Sequence, residues 1–286
     1  MKNIGFIGTG IMGTEMISNL KKSGFNVTIY TRTKEKAKPL IDKGFVWANS
    51  IEEISKDKDA IITMLGYPSD VEEVYFEGIL NSASPGTYLI DMTTSSPSLA
   101  KKIYQAAHQK CMHALDAPVS GGQVGAKNAT LSIMVGGDKE DFDACLKIFE
   151  AMGKTIVLIG DSGAGQVAKA ANQTAIAGCI AGVAEAITLV NSSGLDAKKV
   201  LDVISKGAAR SFQMEYNGQM MLKDDMSPSF YIKHYIKDLK IASQTSKENN
   251  HNLPILENVL KMYIDLADKG MNELGTQAII KEYSEK

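Results

Sequence analysis

Lys169, Asn172 and Gln173 stand three and four residues apart in the run GAGQVAKAANQ at 163–173. That spacing places all three on one face of a helix. The residues around them are mostly Ala, Val and Ile. Partial desolvation lowers a lysine's pKa toward the range of a working general acid, and an amide orients an ammonium without adding charge. The alternative is a lysine whose stem lies along the start of an apolar helix while its head stays in water. A second run, DAPVSGG at 116–122, turns through Ser120, Gly121 and Gly122 as it leaves a strand. Consecutive N–H groups in such a turn make a nest for an anion, and the serine hydroxyl adds a donor. A plain β-turn with glycines for geometry is the alternative here.

A third run, GTGIMG, comprises Gly8, Thr9, Gly10, Ile11, Met12 and Gly13. Asn3–Gly8 reads as a short buried strand and Ile11–Lys22 as a helix, with Gly24 placed to end it. G-x-G-x-x-G between a strand and a helix holds a dinucleotide. The first glycine permits the tight turn, the second lets the pyrophosphate approach the backbone, and the third lets helix pack on strand. The next strand, Phe25–Tyr30, should end where an acid would bind the ribose 2′-hydroxyl of NAD. Thr31, Arg32, Thr33 and Lys34 stand there instead, so no carboxylate is expected to repel a 2′-phosphate. Arg32 can pair with phosphate and Thr33 can donate a hydroxyl. NADP(H) is the expected cofactor, with NAD(H) as the second choice. The alternative is that Arg32 and Lys34 are solvated surface charges.

These loops need elements to carry them. Strands and helices alternate up to Gly163: helix at 34–43, capping box Ser50/Glu53, strand Asp59–Leu65, helix Asp70–Phe76, strand Thr87–Met92, helix Pro97–Gln109. Strands Met112–Ala117 and Thr130–Val135, helix Lys139–Met152 and strand Thr155–Ile159 follow. Beyond Gly165 only helices are expected: Gln166–Ser193, Ala197–Ser205, Phe212–Leu222, Ile232–Asn249, Pro254–Lys269 and Gln277–Tyr283. The fold class is therefore α/β. A Rossmann-type doubly wound sheet domain at 1–163 precedes an all-α domain at 164–286, joined by the long helix, and a cleft between them is the expected ligand site.

Composition agrees with an enzyme of this kind. The chain has 286 residues, 44% of them hydrophobic, and a net charge of −2 with no basic block, which argues against a nucleic-acid binder. Cys111, Cys145 and Cys179 are isolated and fit neither a disulfide framework nor metal spacing, so a reducing cytoplasm is expected and no metal. The start MKNIGFIG runs straight into a strand, so no signal peptide is expected. The apolar stretch Ala175–Val190 is rich in Ala and Gly and contains Glu185, which suits a helix packed inside a protein better than a membrane span.

GTGIMG, DAPVSGG, GAGQVAKAANQ and HYIKDLKIA together resemble the four signatures of the β-hydroxyacid dehydrogenases, and the resemblance covers essentially the whole chain. That family includes 3-hydroxyisobutyrate dehydrogenase, tartronate semialdehyde reductase and the glyoxylate/succinic semialdehyde reductases. The resemblance implies a Rossmann domain, a helical C-terminal domain of the 6-phosphogluconate dehydrogenase-like type, and a homodimer or homotetramer. It implies that Lys169 is the acid/base and that Asn172 or Gln173 is its amide partner. Ser120, Gly121 and Gly122 would hold the substrate carboxylate, with Phe230 and Asp238 lining the site. Met64, Leu65, Thr94 and Lys237 would border the cofactor. The sequence departs from the pattern at Gly66, where many members have Pro, and at Gln173, where some have Asn. The expected reaction interconverts a small β-hydroxy acid and its semialdehyde with NADP(H). An imine reductase on the same fold and a non-catalytic NADP-binding or scaffold protein are the other readings. Lys169 speaks against the first, and Lys169 and Asn172 with a carboxylate nest speak against the second.

Overall fold

The computed structural model describes residues 1–283. The chain forms two compact units, Met1–Lys169 and Ala170–Lys286. The first unit is built on nine strands: β1 (Asn3–Ile7), β2 (Asn26–Tyr30), β3 (Val46–Trp47), β4 (Ala60–Thr63), β5 (Tyr88–Asp91), β6 (His113–Asp116), β7 (Val119–Ser120), β8 (Leu131–Gly136) and β9 (Gly153–Gly160). Their order is β3-β2-β1-β4-β5-β6-β8-β7, with β9 paired to β8. The first six strands run parallel in the doubly wound order, and only the β8 pairings with β6 and β7 are antiparallel.

A parallel sheet covered by helices must be apolar on both faces. Side chains alternate across a strand, so neighbours along the chain serve different layers. Ile4, Phe6, Ile62, Ile90 and Leu115 join one buried cluster with Met16, Ile17 and Leu20 of the Ile11–Lys22 helix. Ile7, Ile61, Leu89 and Ala114 join another with Val71, Leu99 and Ile103. The continuous apolar runs of β1, β4 and β5 therefore fill both layers.

In the second unit the only strand-like feature among the described residues is an isolated bridge between Tyr231 and Gly275. Lys169 ends the first unit and Ala170 begins the second, so the 29-residue Ala164–Ser192 helix is shared by both. By length and composition this helix is apolar enough to cross a membrane. Its Ala177, Ile180, Ala184 and Ile187, spaced on one helical face, lie in the core of the second unit. They pack there with Tyr235 and Leu239 of the Ile232–Glu248 helix and Tyr263 of the Pro254–Asp268 helix.

Several elements differ from the sequence expectation. The helix expected at 70–76 is Pro68–Glu73, because Pro68 opens it and the Asp70 carboxylate reaches back to the Tyr67 N–H at 3.1 Å; a π-helical turn, Val74–Ile79, continues it. The helix expected at 212–222 is a π-helical turn, Gln213–Asn217, followed by Gly218–Leu222. The final segment is a 3-10 helix, Thr276–Glu282. Strands β3 and β7 have two residues each, too few to show an alternation.

Candidate active site

The first glycine loop is built by close approach. Gly8 has a φ of +111°, and a Cβ there would lie 2.2 Å from the Met64 carbonyl oxygen. A Cβ on Gly13 would lie 2.0 Å from the Gly8 carbonyl oxygen, so only glycine lets the helix sit on the loop. Gly10 is different: nothing lies within 4 Å of its Cβ position. The protein does not need that glycine for packing, and open space in front of the backbone is what a pyrophosphate requires. Gly10 caps the Ile11–Lys22 helix, whose first turn carries no acid to oppose an anion. Thr9 is buried, and its hydroxyl has no hydrogen-bond partner in the described residues. An orphaned donor of this kind costs about 1–3 kcal/mol, and a polar ligand in the loop would remove that cost. The loop therefore fits a dinucleotide.

Neighbouring strand ends converge on it. Met64 and Leu65 follow β4, with Met64 N donating to the Ile7 carbonyl at 3.0 Å and Leu65 N to the Thr93 hydroxyl at 2.9 Å. Thr94 stands between two anchored residues. Thr93 N donates to Asp91 at 3.1 Å and Ser95 N donates to the Gln166 Oε1 at 2.9 Å. Burial raises the Asp91 carboxyl to about 6, with hydrogen bonds from Thr93 and Thr63 opposing the rise.

The end of β2 needs a correction. Thr33 caps the Lys34–Ile41 helix without a side-chain hydrogen bond, and Lys34 lies over the Trp47 ring at 5.5 Å. No carboxylate was expected beside Thr31 and Arg32, yet Asp70 pairs with Arg32 at 2.8 Å. The two are 38 residues apart, and the parallel packing of β2, β1 and β4 brings them together. A local reading of the sequence cannot see such a partner.

Ser120, Gly121 and Gly122 occupy a more regular setting than a free turn. Val119 and Ser120 pair antiparallel with Ile133 and Ser132 of β8, and a short helix, Gly122–Lys127, starts immediately after. Gly121 and Gly122 have φ of +128° and +59°, the region that favours glycine, and the Cβ position of Gly122 faces open space. Lys169 comes to the same segment. It is buried, and its Nζ donates to the Val119 carbonyl at 2.9 Å, one residue before Ser120.

Two residues not predicted as site residues hold this arrangement. Asp116, at the end of β6, is buried, and its oxygens accept from Gly163 N at 2.7 Å and Gln166 N at 2.9 Å. It thus caps the start of the lysine-bearing helix from a distant strand. Burial raises its carboxyl, and those backbone hydrogen bonds work against the rise. Gln166 is fully buried; besides accepting from Ser95, its Nε2 donates to the Thr93 carbonyl at 2.8 Å. The signal was a glutamine on the apolar stretch just ahead of Lys169, a position that burial makes costly unless both ends of the amide are paired.

Within the second unit, Asn172 Nδ2 donates to the Gln173 Oε1 at 2.8 Å and Gln173 Nε2 to the buried Asp238 carboxylate at 2.6 Å. Lys237 pairs with the other Asp238 oxygen at 2.9 Å. Phe230 packs edge-on against Tyr235, with centroids 5.8 Å apart. Four of the predicted residues thus form one chain of hydrogen bonds, with Phe230 beside the same helix. His234, next to Lys237, has its imidazole pushed down by burial and by the two nearby lysines.

Residues 3–160 match the model described as the NAD binding domain of 6-phosphogluconate dehydrogenase. Residues 163–283 match the model described as NAD-binding of NADP-dependent 3-hydroxyisobutyrate dehydrogenase. The chain is 50% identical over 282 residues to the uncharacterized oxidoreductase YkwC of Bacillus subtilis, covering 98% of each. It is 35% identical to the 2-hydroxy-3-oxopropionate reductase of Escherichia coli, covering 97% of this chain and 96% of that one. Among solved structures, Mycobacterium tuberculosis 3-hydroxyisobutyrate dehydrogenase with L-serine superposes with a TM-score of 0.93 at 30% identity, over 100% of both chains.

Proposed function

The chain belongs to the β-hydroxyacid dehydrogenase family, and from that premise we propose that it reduces a small aldehyde acid to its hydroxy acid, preferring NADPH, with Lys169 as the proton donor. It is an NAD(P)-dependent dehydrogenase acting on CH–OH groups. The observation that carries the finer reading is the 2.9 Å bond from Lys169 Nζ to the Val119 carbonyl. It anchors an ammonium beside Ser120, Gly121 and Gly122, a segment whose donors suit a carboxylate. The names of the Escherichia coli and Mycobacterium tuberculosis relatives both denote small acids with oxygen at the third carbon, which supports that substrate class.

The bound nicotinamide supplies the hydride. Ser120 donates its hydroxyl to the substrate carboxylate, and the Gly121–Gly122 backbone adds N–H donors. The Val119 carbonyl holds the Lys169 ammonium in place. Lys169 donates a proton to the developing alkoxide and stabilises its charge beforehand. Oxidation of the hydroxy acid needs Lys169 neutral first, so that direction gains with rising pH. Arg32 and Thr33 would take the 2′-phosphate, which supports the NADPH preference.

A panel of glyoxylate, succinic semialdehyde, tartronate semialdehyde, uncharged aldehydes and imines, followed by NADPH absorbance, tests this reading. Carboxylate-bearing aldehydes are expected to be turned over best, and Ser120→Ala to raise KM. Lys169→Ala should lose about 10²–10⁴ in kcat while NADPH binding stays unchanged. Lys169→Arg should also be poor, because a guanidinium does not readily exchange its proton. Near-normal turnover by Lys169→Ala would refute the assignment. Imines reduced better than aldehydes would favour the imine-reductase reading.

A further inference from the structure

Arg32 lies two residues past the end of β2, where this fold receives the ribose of the adenosine half. Its side chain is 67% exposed, whereas that of its partner Asp70 is only 16% exposed. The two halves of the pair are therefore held differently. Both Asp70 oxygens are engaged: Oδ1 accepts from Arg32 Nη2 at 2.8 Å, and Oδ2 accepts from Tyr67 N at 3.1 Å. The carboxylate is built into the start of its own helix, and the arginine comes to it. An arginine has five N–H donors in a rigid fork, so pairing with one carboxylate oxygen leaves others for a second anion.

We propose that Asp70 sets the balance between the two nicotinamide cofactors: its carboxylate replaces, from the first turn of the helix after β4, the acid missing after β2, and it restrains the preference for a 2′-phosphate. A phosphate approaching Arg32 meets a guanidinium whose charge Asp70 already offsets. A 2′-hydroxyl in the same place can donate to the Asp70 carboxylate. The pair thus offers a donor fork to NADP(H) and an acceptor to NAD(H), and the chain discriminates less than an unpaired arginine would. This inference rests on the reading that the end of β2 takes the ribose.

The test uses the full-length protein and equilibrium dissociation constants for NADPH and NADH, measured by calorimetry without substrate. The variants are Asp70→Asn, Asp70→Ser and Arg32→Ala; serine keeps a helix-capping oxygen, and melting curves check that both Asp70 variants fold. Removing the charge is expected to tighten NADPH about three- to fivefold and to loosen NADH about as much, the scale of an exposed charge interaction. The ratio of the two constants then moves about ten- to twenty-fivefold toward NADPH. A ratio unchanged in both folded variants overturns the proposal, and so does weaker NADPH binding, which would make Asp70 only a support for Arg32. Arg32→Ala separates the two readings. If it weakens NADPH while the Asp70 variants stay flat, Asp70 alone has been misassigned. If Arg32→Ala leaves both constants unchanged, the ribose lies elsewhere and the premise fails too.

Discussion

Replacing Gln166 with leucine should loosen the loop after β5 and the start of the lysine helix together. The side chain is fully buried and satisfies two backbone groups, Ser95 N and the Thr93 carbonyl. Leucine fills a similar volume but pairs with neither. Each buried backbone group left without a partner costs about 1–3 kcal/mol, so the expected loss is roughly 2–4 kcal/mol when the loop relaxes partly toward water. For a domain of this size that corresponds to a fall in melting temperature of roughly 5–15 °C. The damage should reach the cofactor, because Thr93 also holds Leu65 N through its hydroxyl at 2.9 Å. Thermal melting with and without NADPH, and NADPH titration, read both effects. Gln166→Glu sharpens the test. A carboxylate can accept from Ser95 N but cannot donate to the Thr93 carbonyl, and it adds charge near Asp116, which already binds the Gln166 N–H. Its stability should improve as acid protonates the new carboxyl. A Gln166→Leu protein that melts with the wild type and binds NADPH as well would refute the claim that this amide ties loop to helix.

Gly13→Ala should abolish measurable NADPH binding or unfold the first unit, since its Cβ would lie 2.0 Å from the Gly8 carbonyl oxygen; normal binding would mean that the helix can slide away from the loop. Asp91 has its carboxyl raised from 3.8 to about 6 by burial, so the folded state holds this proton more tightly than the unfolded chain does. Its ionisation therefore costs stability above about pH 6, and that cost disappears as the pH falls toward 4. Asp91→Asn should gain stability relative to wild type at about pH 8 and lose the gain by about pH 4; a difference independent of pH would contradict this. Both ends of the Gln173 amide are engaged, by Asn172 and by Asp238. Asn172→Ala is accordingly expected to cost more kcat, and Gln173→Ala more thermal stability, with the reverse ranking in paired kinetics and melts refuting the order.

The strand–turn–helix at Asn3–Lys22 was legible because its information is local: an apolar run, glycines at set offsets and a helical period lie within one window. The same holds for the helical spacing of Lys169, Asn172 and Gln173. The switch from alternating strands and helices to helices alone also follows from local periods, so the fold class could be read without knowing strand order. The two-residue strands β3 and β7 could not be read, because two residues carry no period and form only against a neighbour. The larger gap lies in partners distant along the chain. Asp116 reaches Gln166 across 50 residues, Gln173 reaches Asp238 across 65, and Asp70 reaches Arg32 across 38. Residue types and spacing singled out the candidate side chains. Only the order and register of the strands, which depend on the packing of the whole sheet, decided that a carboxylate stands beside Arg32 and that the Lys169 ammonium rests on the Val119 carbonyl.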